Sequence, residues 1–231
     1  MESLFRVIVY SALAAATAAL GPIPLSPPFA SPERPPLRLL AWATALAAGL
    51  MIGVAYALMT AGLDHGGVQT GLGAFAGIAC LAAARAATAP GRILRLGALH
   101  AVPEGIAIGV AMTVGLPFGA LTAMALAVHN VPESTIAIAA LMGRGARLPR
   151  ATALAVLANV NQVLFAAIAF LAVWLVPALL PWTLGFAVGA LIFLCVAELL
   201  PESYRGAGRT SIAMVVIIAV GIVVLLHERA R

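Results

Sequence analysis

Residues 93–142 read ILRLGALHAVPEGIAIGVAMTVGLPFGALTAMALAVHNVPESTIAIAALM. The stretch is two apolar runs, about 93–115 and 118–142, divided by Gly115-Leu116-Pro117. Each run is long enough for a helix to cross a hydrocarbon core of about 30 Å. Each also carries a His and a Glu four residues apart, with a proline between them: His100 and Glu104, His129 and Glu133. The shared pattern is H-x-V-P-E, repeated at an offset of 29 residues.

Residues four apart lie on one face of a helix, one turn along. Each run therefore directs an imidazole and a carboxylate at the same place. Pro103 cannot donate to the Leu99 carbonyl, nor Pro132 to that of Val128, so a bend or local opening is expected at each. Loosened backbone at membrane depth is tolerated where it lines a polar cavity. Ionisable groups at that depth are costly and functional by default. Two His and two Glu converging on one cavity suit a borderline divalent cation: Zn2+ first, with Fe2+ and Mn2+ also chemically reasonable. The alternative is an internal ion pair steadying each kinked helix. Repetition of the same spacing on neighbouring antiparallel runs favours the shared cation site.

The rest of the chain agrees with a membrane setting. Of 231 residues, 63% are hydrophobic and 9% are charged, against about 45–50% and about 25% in soluble domains. Mean hydropathy is +1.10. This excludes a cytosolic enzyme, a secreted disulfide scaffold and a disordered chain. Further apolar runs lie at about 4–20, 38–61, 67–86, 149–174, 182–200 and 210–227. The expected fold is an all-α integral membrane protein of eight transmembrane helices, forming one domain over residues 1–231. The first run has the length of a signal peptide. Its Glu2, its single Arg6 and the proline-rich stretch from Gly21 to Pro36 favour a retained span. Cys80 and Cys195 fall inside apolar runs without C-x-x-C spacing, and read as small buried hydrophobes.

All 13 basic residues are arginine. They form no basic run, so nucleic acid is not an expected partner. Eight spans put Arg6, Arg229 and Arg231 on one side of the membrane. The other side receives Arg34, Arg38, Arg85, Arg92, Arg95, Arg144, Arg147, Arg150, Arg205 and Arg209. Such asymmetry marks the cytoplasmic face. It predicts a multi-pass protein of the cell membrane with both termini non-cytoplasmic. The segment from Ala47 to Ile52 also echoes that from Ala187 to Ile192, 140 residues on and on a span running the opposite way. That suggests an inverted repeat of spans 1–3 and 6–8 around spans 4–5.

His100 to Gly105 and His129 to Glu133 resemble the paired metal-binding signatures of the Zrt/Irt-like protein (ZIP) family of divalent-metal transporters. Ala47-Ala48-Gly49-Leu50-Met51 is similar to the family's second span, and Ala197 to Ser203 to its seventh. The resemblance covers nearly the whole chain. It implies a binuclear-type metal centre between spans 4 and 5, helped by spans 2 and 6, that imports metal into the cytoplasm. The metal ligands it implies are His100, Glu104, His129 and Glu133, a thioether from Met51, and Asn130 at the second position. Zn2+ is then a substrate, with Fe2+, Mn2+ or Cd2+ as alternatives, and no residue is catalytic. Two departures concern the second position. Ala101 stands where the family often has Asn, and Asn161 falls about where it carries Glu. One tightly bound ion per chain is the expectation. The loop at about Ala86–Gly91, often His-rich in the family, is short.

Two other function classes fit part of this pattern. An intramembrane zinc-dependent hydrolase could use two His and a carboxylate with an open water position, but the chain lacks H-E-x-x-H. A proton-relay transporter could use the same groups without metal. The expected partners are divalent metal ions and the lipid bilayer. A homodimer is compatible with the sequence. Of the remaining polar residues, Asn159, Asn161 and Gln162 read equally as interhelical glue or as a wet pathway wall. Glu198, with Glu202 just beyond, reads first as an interfacial carboxylate and second as part of a cytoplasmic exit for metal. His65, beside Asp64, is placed in an outer loop where metal could collect, and His227 and Glu228 read as terminal and solvated.

Overall fold

A computed structural model describes residues 2–26, 37–87 and 93–230. The side chains of 93–98 and 230 also lie outside the description, as do Arg34, Arg92, Arg231 and most of the short loop at 86–91. Among the described residues the protein is helical and has no strand. Helix α1 spans Glu2–Ala16 and continues through 3-10 turns to Leu25. Then come α2 (Leu37–Ala86), α3 (Ile93–Val114), α4 (Leu116–Met142), α5 (Leu148–Ala158) and α6 (Val160–Leu175). The last three are α7 (Leu180–Leu194), α8 (Leu200–Gly206) and α9 (Arg209–Ala230). Proline in the first turn starts α4, α5, α7 and α8, where its missing N–H has no helical partner to lose.

Six helical stretches among the described residues are long and apolar enough to cross a membrane. The apolar part of α3 described with side chains, Leu99–Val114, is shorter. The difference from eight expected spans lies partly in α2, where two of them form one element of 50 residues. Its helical geometry breaks at Gly66, with φ 157° and ψ 97°. The chain doubles back there. A Cβ on Gly62 would lie 2.6 Å from Cγ2 of Thr70, whereas eight residues of straight helix separate them by about 12 Å. Thr44 and Arg85 line one cavity, yet a straight helix would hold them about 60 Å apart.

Small residues set the packing. Gly185 and Gly189 of α7 press on the backbone of Thr70 and Ala74 in α2, and Gly105 and Gly109 of α3 press on Gln162 and Ala166 of α6. Such close approach is how helices associate when lipid supplies no hydrophobic drive. The polarity is inverted relative to a soluble protein. Phe5, Phe75, Trp174 and Ile217 face outward, while Glu104, His129, Asn130 and Gln162 are fully buried. An outer surface that apolar fits hydrocarbon as solvent. Cys80 corrects one expectation: it lies on the exposed face of α2, and only Cys195 is buried.

The helices run through both motif prolines, Pro103 in α3 and Pro132 in α4. The interruptions among the described residues fall at Gly66, at Asn159 between α5 and α6, and at Cys195–Leu199, where the chain widens into a π turn between α7 and α8.

Candidate metal centre

The two H-x-V-P-E motifs meet head to tail. With α3 and α4 running antiparallel, the His of one motif comes opposite the Glu of the other. His129 Nε2 lies 3.0 Å from Glu104 Oε1 and 3.5 Å from Glu133 Oε2. His100 Nδ1 lies 3.8 Å from Glu133 Oε1. The result is two layers. Glu104 and His129 form the inner one and are wholly shielded, while the side chains of His100 and Glu133 are 9% and 17% exposed.

Glu104, His129 and Glu133 each offer a ligand atom within 4.8 Å of the others, the closest such trio among the described residues. A tetrahedral ion with bonds of about 2.0–2.1 Å needs its ligands about 3.3–3.4 Å apart. The observed 3.0 and 3.5 Å bracket that value. Both Glu104 oxygens, both His129 ring nitrogens and Glu133 Oε2 are buried with no hydrogen-bond partner. Buried polar atoms are normally satisfied, so a cation is the natural missing partner for this set.

The trio's outer side meets a cavity of about 380 Å³, lined by His100, His129 and Glu133 together with Arg85, Glu198 and Arg205. Glu198 faces the same cavity. Its Oε2 is 2.9 Å from His100 Nε2 and its Oε1 is 2.7 Å from Arg85 Nη1. It belongs to the cluster. It sits in the π turn, whose extra residue re-aims side chains in a way no sequence period reveals. The available signal was a carboxylate inside an apolar run.

Met51 and Asn130 are both fully buried. Met51 lies within the apolar core among Val54 and Leu58. Asn130 turns its Nδ2 to the Ala14 carbonyl (2.8 Å) and to Gln162 Oε1 (3.0 Å). It thereby ties α4 to α1 and α6. Gln162 is fully buried, whereas Asn161 is only partly so. Gln162, one place on, is thus the residue of the amide group that reaches α4.

No family model matches the chain. A protein of Arabidopsis thaliana provisionally named a zinc transporter is 29% identical over 241 aligned positions, covering 94% of this chain and 38% of that protein. The zinc transporter GufA of Myxococcus xanthus is 39% identical over 109 positions, covering 47% of this chain and 43% of GufA. This chain is a relative of named zinc transporters. The matches take in less than half the length of either protein. The resemblance drawn from the paired motifs is borne out to that extent, and neither relative is named as an enzyme.

A second cavity, of about 280 Å³, lies near the Gly66 turn and is lined by Asp64, His65, Phe118 and His227. His65 is not in a loop: it is part of α2, with Nδ1 2.7 Å from the Ala61 carbonyl oxygen. His227 is not solvated. It is buried, its ring 5.0 Å from that of Phe118 and its Nε2 3.5 Å from Thr60 Oγ1. Helix α9 runs past it to Ala230, which brings a near-terminal histidine under cover.

Proposed function

We propose that the chain carries divalent transition-metal cations across the membrane into the cytoplasm, as a ZIP-type transporter. Zn2+ is the foremost substrate, and Fe2+, Mn2+ and Cd2+ suit the same nitrogen and oxygen donors. The observation that carries this reading is the trio Glu104, His129 and Glu133, converging in the buried interior of apolar helices and beside an open cavity. The zinc-transporter names of the relatives support it.

The ion is held first by the inner layer, where burial excludes competing water. His100 and Glu133 form the next station, and Glu198 continues the path into the cavity. Direction follows from the arginines. The cavity wall includes Arg85 and Arg205, which belong to the arginine-rich side, and that side is cytoplasmic. Eight crossings with both termini outside fit this assignment. The halves of α2 on either side of Gly66 then count as two spans, and α3 as another. An inverted repeat of spans 1–3 and 6–8, and a single transport domain over the chain, complete the architecture. One ion is held tightly, because Ala101 offers no ligand and the Asn130–Gln162 pair brings no charge.

Uptake of Zn2+ into proteoliposomes holding the purified chain tests the proposal. Accumulation above that of protein-free vesicles is expected. Proton flux that needs no metal, or no flux at all, would overturn it.

A further inference from the structure

Beyond the trio, the cavity holds an ion pair that touches the histidine path and that metal transport does not by itself require. Arg85 Nη1 is 2.7 Å from Glu198 Oε1 and 3.4 Å from the Ala197 carbonyl oxygen. The other oxygen of the same carboxylate, Oε2, is 2.9 Å from His100 Nε2. A continuous chain of charge therefore runs from the cavity inward, from Arg85 through Glu198, His100 and Glu133 to His129 and Glu104. Its outer end is the more exposed, 42% at the Arg85 side chain and 20% at Glu198, and its inner end at His129 and Glu104 is fully shielded.

We infer that Arg85 is a tethered counter-cation: it neutralises Glu198 while the outer station is empty, and it repels a divalent ion that occupies His100 and Glu198, easing that ion into the cavity. The inference rests on the proposed transport reading. A guanidinium suits the task, since it keeps its charge at any working pH and its planar fork fixes its direction. Arg85 ends α2, and Glu198 sits in the π turn after α7. Two elements that the sequence separates by more than a hundred residues thus bring a fixed positive charge to the metal path. An ordinary half-exposed ion pair, worth little to stability, would leave metal binding untouched.

Titration of the purified full-length chain with Zn2+ alone decides the matter. Arg85→Gln, or Arg85→Met if the first does not assemble, is expected to bind Zn2+ roughly three- to tenfold more tightly than wild type at low salt. The gain is expected to vanish when Glu198→Gln is added, and Arg85→Lys to restore wild-type affinity. Arg205→Gln is expected to gain less, because Arg205 pairs with Glu202 at 2.9 Å and not with Glu198. Unchanged or weaker binding in both neutral variants overturns the inference. So does a gain that survives Glu198→Gln, or an equal gain from Arg205→Gln. If wild type binds and transports Zn2+ while these variants behave as wild type, only this inference fails. Absence of Zn2+ binding in wild type overturns the transport reading along with it.

Discussion

The two H-x-V-P-E motifs have the same pattern and different fates. Glu104 of the first and His129 of the second lie in the dry interior, facing each other at 3.0 Å. His100 of the first and Glu133 of the second lie one turn nearer the cavity and are partly wetted. His100 is further drawn to Glu198. The difference comes from antiparallel pairing. It sorts the four residues by depth, so that each motif gives one member to each layer. A ligand's worth should follow its layer and not its motif.

The largest effect is expected in the inner layer. Glu104→Ala or His129→Ala should weaken Zn2+ binding by about a hundredfold or more, because either leaves its buried partner uncompensated. Far-ultraviolet circular dichroism should show the helices retained. In the outer layer, His100→Ala should cost about tenfold, with Glu198 as a remaining oxygen donor beside the ion. Equal losses at His100 and His129 in a binding titration would break the layered account.

Acid should act on both layers. An imidazole must be unprotonated to bind metal, and its ordinary pKa is about 6.5. Protons compete increasingly below that value, so Zn2+ affinity should fall as pH drops from about 7 to about 5. A flat profile would argue against histidine ligation. The smallest effect concerns the amide pair beside the trio. Gln162→Glu with Ala101→Asn should raise tightly bound Zn2+ from one toward two per chain, as read by metal analysis after dialysis. Asn161→Glu with Ala101→Asn should leave it at one, since Asn161 is not the residue that reaches Asn130. Two tight ions in the unmodified protein would contradict this.

Much of the centre was legible because its signals are local. The i, i+4 spacing puts His100 with Glu104 and His129 with Glu133, and antiparallel neighbours do the rest. The apolar runs marked out helices, of which six among the described residues are long and apolar enough to cross a membrane. What escaped depends on backbone irregularity and on distant partners. Gly66 turns α2 back without a recognisable loop, so His65 falls in helix. The π turn swings Glu198 to His100. Pro103 and Pro132 leave α3 and α4 unbroken, while Asn159 interrupts the next span with no proline present. The Asn130 Nδ2 bonds to Ala14 and Gln162, partners 116 and 32 residues away, were not legible either; its Oδ1 is buried without a hydrogen-bond partner.

Zn2+ uptake by proteoliposomes carrying Glu104→Gln, beside wild type at matched protein density, tests the central claim most directly. Glutamine keeps the shape of Glu104 and removes its charge from the driest part of the centre. If the inner layer is where the ion is held during transport, uptake in the variant should fall to the level of protein-free vesicles while wild type accumulates zinc. Uptake by Glu104→Gln at the wild-type rate would contradict the account.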